Sequence, residues 1–318
     1  MMKKRTPVIL KPFKPTRYKY EKLRVCRNCG NYTILWDESC PQCGKSLLLG
    51  IENMALMKVK LQMQTERLIA VLITLAAVLF SSTFQHIAWS LGLGAGGIIL
   101  LSLVQRSMLE AQVPYQIQKI LETSTRRLME GLKLNIEAAY DMRSSDEPLA
   151  YEMMREIATV VYSDRLRLQQ LKLLCSFQLR KDMDLQLEEL LISDFEEEMV
   201  DYIGEIARIK PELIRERIIL YVTQHEPEIL ILSRGQEILT AVAGAALRKA
   251  RYVTLYPEFM ERYARHLPKE RFLRLYHLIM EQEELRSTSL AKEVADIHRN
   301  RYTQNADISI SADGEASS

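Results

Sequence analysis

The chain is 318 residues long, 47% hydrophobic and 26% charged, with 43 Lys+Arg against 41 Asp+Glu. The net charge of +2 is what two opposed parts leave behind. Residues 1–67 hold 14 Lys+Arg against 5 Asp+Glu, residues 68–104 hold none of either, and residues 105–318 carry −7. This division excludes a chain of uniform character and suggests different work for its two charged parts.

Residues 1–24 read as a basic, flexible arm. Lys3, Lys4, Arg5, Lys11, Lys14, Arg17, Lys19 and Lys22, continued by Arg24 and Arg27, are opposed by Glu21 alone. Pro7, Pro12 and Pro15 argue against a helix in the first half, and Phe13, Tyr18 and Tyr20 are interleaved with the cations. Such an arm can lie on anionic lipid, dock a protein, or neutralise phosphates while its rings stack on bases. No recognition motif accompanies the charge, which ranks nucleic acid last of the three.

Residues 25–48 carry four of the five cysteines, as Cys26-x-x-Cys29-Gly30 and Cys40-Pro41-x-Cys43-Gly44, with ten residues between the pairs. On the cytoplasmic side disulfides are disfavoured and a metal site is the expected use. Gly30 and Gly44 suit a turn that needs positive φ. Tyr32–Trp36 has strand-like composition and Asp37–Ser39 reads as a turn. The pattern resembles the zinc-ribbon superfamily over residues 26–44. That resemblance implies Cys26, Cys29, Cys40 and Cys43 as ligands of one structural Zn2+, with no open position for catalysis. Rubredoxin-like iron sites share the knuckles but set them farther apart, and a redox pair would need a thioredoxin-like context that is absent. Cys175, far from these, reads as a buried helical cysteine.

Residues 51–67 contain no helix breaker and read as a helical stalk leading into the next segment. Leu68–Val104 is uncharged, and Gln85-His86 divides it into apolar runs of 17 and 18 residues, 68–84 and 87–104. A spanning helix needs about 20 apolar residues and must pair its backbone internally, so a two-helix transmembrane hairpin is the natural reading. Its start at residue 68 excludes a cleavable signal peptide. Basic flanks and an uncharged turn place both termini in the cytoplasm. A single span, a re-entrant loop and a buried helical pair are the rivals. Gly92 and Gly96 have GxxxG spacing, suited to packing the hairpin on itself or to forming a homo-oligomer in the bilayer.

Residues 108–145 form a juxtamembrane helical region in which Pro114 marks a break or a start. Ile117, Leu121, Ser124, Leu128, Leu132, Ile136 and Ala139 define one helical face, and Ser144–Pro148 ends it. Residues 148–300 read as an α-helical cytoplasmic domain, with helix starts at Pro211, Pro227, Pro257 and Pro268, each followed closely by an acid. These starts show no constant repeat, so a bundle and an irregular HEAT-like array stay open, the array being favoured. Residues 305–318 read as a disordered tail.

No His-Glu-x-x-His, P-loop, dinucleotide fingerprint or nucleophile elbow occurs. The expected fold is mostly α, with a small N-terminal β ribbon, a membrane hairpin and a helical C-terminal domain. The expected function is a non-enzymatic scaffold or adaptor for protein partners at the membrane. The alternatives are a membrane-tethered nucleic-acid-binding regulator and an accessory subunit of a transport or secretion complex.

Overall fold

A computed structural model describes residues 6–303. Lys3, Lys4, Arg5 and the 305–318 tail lie outside the described residues. Five short strands are described: Thr6–Pro7 (β1), Arg24–Cys26 (β2), Tyr32–Thr33 (β3), Leu48–Gly50 (β4) and Phe177–Gln178 (β5). All else of regular structure is helical. The chain divides into two compact units, residues 14–162 and residues 163 onward together with the segment ending at Phe13.

In the first unit β2 lies between β3 and β4, antiparallel to both. β4 runs directly into helix α1, Ile51–Leu79, whose first amide donates to Leu23 O at 2.9 Å. Ile51, Ala55, Val59 and Met63 are buried at four-residue intervals, one stripe of the stalk. Helices α2 (Phe84–Thr123), α3 (Thr125–Met142) and α4 (Glu147–Ala158) follow. Asp146 caps α4 by accepting from Leu149 N at 3.0 Å.

α1 and α2 pair along their length, and both are long and apolar enough to cross a membrane. Their uncharged portions expose large apolar side chains, among them Leu68, Ile73, Phe84, Trp89 and Leu93. The lower edge of this surface is closed by a polar cluster. Arg67 Nε donates to Gln105 Oε1 at 2.7 Å, and Gln105 Nε2 donates to Glu66 Oε2 at 2.9 Å. Gln105 is buried, so these bonds remove a penalty of about 1–3 kcal/mol for an unpaired amide.

Two sequence expectations need correction here. The hairpin turns at Phe80–Thr83, and Gln85 and His86 belong to the first turn of α2. Ser81 bonds back to Ala77 O at 2.8 Å, and Thr83 is extended; hydroxyl side chains compete with the helix backbone where glutamine does not. Pro114 neither breaks nor starts a helix but lies inside α2. A missing amide there costs about 3 kcal/mol. It is offset by contacts beyond it, where Ile117 and Ile120 are buried and Gln116 reaches Gln62 of α1 at 3.3 Å.

The second unit holds α5 (Asp164–Ser176), α6 (Glu197–Ile209), α7 (Glu216–Gln224), α8 (Glu226–Ile231), α9 (Gly235–Ala246), α10 (Ala250–Leu255), α11 (Pro257–Ala264), α12 (Lys269–Glu281), α13 (Glu283–Arg286) and α14 (Ser289–His298). The main pairings run α5–α6, α6–α9, α9–α11 and α11–α14, an advance in chain order that fits an irregular helical array. Met199, Val200, Ile203 and Ile206 of α6 and Leu239, Val242 and Ala243 of α9 form the centre of its core. Pro211 opens only a one-turn 3-10 helix, because Ile214 turns into the core on extended backbone and α7 restarts at Glu216.

The arm expected to be flexible is held within the described residues. Thr6 and Pro7 pair in parallel with Phe177 and Gln178, Val8 and Leu10 are buried, and Phe13 N donates to Asp184 Oδ2 at 2.8 Å.

Candidate metal centre

The four cysteines come together through two turns of the same construction. Gly30 N donates to Cys26 O at 2.9 Å and Gly44 N to Cys40 O at 2.8 Å. Each glycine has left-handed backbone, φ 73° and 70°, where a Cβ would be strained. Cys26 N then bonds to Asn31 O and Cys40 N to Lys45 O, both at 2.9 Å, closing each knuckle.

The four sulfurs all lie within 4.8 Å of one another, with Cys26–Cys43 at 3.7 Å and Cys29–Cys40 at 3.5 Å. No disulfide joins them. A tetrahedral four-thiolate centre with bonds of about 2.3 Å has sulfur–sulfur edges of roughly 3.8 Å, so these distances fit a metal ion. Burial pushes Cys29 up to about 12, against the opposing Asn31 backbone N–H. The Lys45 backbone N–H draws Cys43 down to about 7. A bound dication would favour the thiolate forms that ligate it. All four positions around such an ion would be filled by the protein's own sulfurs.

The knuckle domain is docked on α3. A Cβ at Gly131 would lie 2.2 Å from Tyr32 O, so only glycine admits this strand so close to the helix. One turn on, Asn135 Oδ1 accepts from Ile34 N at 2.9 Å and its Nδ2 donates to Thr33 Oγ1 at 3.1 Å. Thr33 Oγ1 in turn donates to Asp37 Oδ2 at 2.8 Å. Arg127, two turns before Asn135, lies over the first knuckle; a Cβ at Gly30 would be 2.7 Å from its Nη1. Gly131 and Asn135 were not singled out from the sequence. Their signal was a small and a polar residue beside Leu128, Leu132 and Ala139 on an otherwise apolar face.

The described basic residues of the arm divide between the two units. Lys22 pairs with Glu156 of α4 at 2.6 Å, and Arg24 Nη1 donates to Asp37 O at 2.7 Å. Lys19 lies over the Tyr20 ring at 5.7 Å. Lys14, Arg17 and Lys19 are exposed in the first unit, whereas Lys11, also exposed, belongs to the second. Gly92 and Gly96 have open space where a Cβ would be. The glycine that α1 and α2 use for close approach is Gly94, whose Cβ would lie 2.1 Å from Thr74 Cγ2. Cys175 is half-buried in α5, its thiol directed at Glu198 O at 3.6 Å.

No protein-family model, curated protein or solved structure matches the chain.

Proposed function

We propose that the protein is a membrane-anchored, non-enzymatic scaffold in which a zinc ribbon and a helical domain are presented on one side of the bilayer. The observation that carries this reading is the mounting of the four-cysteine domain. β4 passes without a linker into α1, and α3 clasps Tyr32–Ile34 through Gly131 and Asn135. A domain fixed so closely to the base of an apolar hairpin is positioned to present a surface.

Zinc fits the four thiolates and the ten-residue gap between the knuckles. Four thiolates around Zn2+ leave a net charge of −2, and the Arg127 guanidinium over Gly30 is suitably placed to balance part of it. The basic flanks and uncharged turn favour both termini in the cytoplasm. From Phe84 to Val104, α2 rises ~31 Å, the thickness of a hydrocarbon core. The uncharged part of α1 rises only ~18 Å as helix, so Phe80–Thr83 must complete that span in non-helical form near the outer surface. Engagement of Lys22 and Arg24 inside the first unit removes two cations from a nucleic-acid reading.

Proximity labelling from each terminus in native membranes tests the scaffold. One shared set of protein neighbours, labelled from both ends, is expected. Recovery of no stable protein neighbour from either end would sink the proposal.

A further inference from the structure

Outside the metal centre, the second unit contains a cavity of about 580 Å³ with an excess of positive charge. It opens between the last turn of α6, the start of α9 and the start of α12. Arg208, Arg234, Gln236, Glu237, His266 and Arg271 stand around it. Glu237 is shared, at 2.8 Å from Arg208 and 3.2 Å from Arg234. Gln236 Nε2 meets His266 Nε2 at 2.8 Å. Three guanidiniums against one carboxylate leave a charge of +2.

Arg271 is the informative member. Among the described residues no carboxylate pairs with it; its one bond is a long one, 3.5 Å, to Ala241 O. Its stem crosses α9 at Gly244, where a Cβ would fall 2.5 Å from Nη1 and 2.7 Å from Cδ. The helix thus makes room for a half-buried guanidinium and supplies it no counter-charge. Burial, reinforced by nearby Arg248, holds its pKa below the usual arginine value. A cation in that position is destabilising until an anion joins it. Guanidiniums present forked donors that match phosphate oxygens, and a cavity of this size accommodates a small ligand.

We propose that this cavity binds a dianionic phosphate group, free or as a small phosphate ester, with Arg271 as its principal ligand and Arg208 and Arg234 as flanking donors. A dianion neutralises the excess charge, and it must compete with Glu237 for the two flanking arginines.

The test is calorimetric titration of the full-length protein in nanodiscs, with inorganic phosphate in one arm and glycerol 3-phosphate in the other. Chloride at equal ionic strength is the control. Saturable binding in either arm is expected, and the arm that binds tells which source fits. Arg271→Gln should weaken binding by about tenfold or more, the worth of one charge-assisted bond. Glu237→Gln, an exposed substitution, should tighten binding several-fold by freeing Arg208 and Arg234, an effect that a merely structural role would not produce. Absence of saturable binding in both arms, or a Glu237→Gln chain that binds no tighter than the parent, would overturn the assignment.

Discussion

Replacing Cys40 with serine is expected to release the metal and unfold residues 24–50 as a unit. The strands there are two or three residues long, and the sheet has three strands. Such a sheet has only a small core of its own, built on Leu23, Val25, Tyr32, Ile34 and Leu35. Structural zinc contributes an apparent ~10–16 kcal/mol to small domains of this kind near neutral pH, far more than any single contact here. Loss of Cys40 also removes one of the two close sulfur pairs between the knuckles, the one 3.5 Å from Cys29. Metal analysis of the purified chain should fall from one zinc per chain to none, and amides of residues 24–50 should exchange freely. Because thiolates bind the ion, acid should produce the same loss in the parent chain, with affinity falling as pH falls. Retention of one zinc by the Cys40→Ser chain, or iron in the parent, would contradict the zinc reading.

The second large effect is expected from Gly131→Leu. A side chain there begins 2.2 Å from the Tyr32 carbonyl, and backbone on both sides leaves little to give. The strand must move off α3, which separates Ile34 N and Thr33 Oγ1 from Asn135. Overpacking costs about 1–3 kcal/mol and each buried group left unpaired another ~1–3 kcal/mol. The knuckles depend on their own turns, so metal should stay bound while the ribbon comes loose. Hydrogen exchange should rise over residues 31–36 with zinc content unchanged. Unchanged protection there would show that the close approach is not what seats the ribbon. Together the two substitutions separate holding the ribbon together from holding it in place.

The parts of this architecture that were legible in the sequence are those encoded over short distances. Two cysteine pairs, each followed by glycine, predict the knuckles, because the turn and its positive φ are local requirements. The uncharged stretch and the breaker-free residues 51–67 before it predict the stalk and the apolar helices that continue it. Position along those helices was less legible. The turn fell at Phe80–Thr83 because hydroxyl side chains compete with helix carbonyls, although Gln85 and His86 are the more polar residues. Pro114 was read by its local cost alone, whereas packing of its neighbours on α1 decided the outcome. Contacts between distant segments left no local trace. Thr6–Pro7 pairs with Phe177–Gln178 across the whole of the first unit's sequence, two residues on each side, too few for any periodicity. The docking pair Gly131 and Asn135 looked like interruptions of an apolar face, and the cavity arginines come from three separate elements.

In the proposed arrangement the hairpin returns the chain to the side from which it entered the membrane. Accessibility of epitope tags placed at the N-terminus, after Ser82 and at the C-terminus tests it most directly. In intact cells only the tag after Ser82 should be reached by antibody, with both terminal tags appearing once the membrane is permeabilised. A terminal tag reached before permeabilisation would contradict the account, since the ribbon and the helical domain could not then serve one face of the membrane.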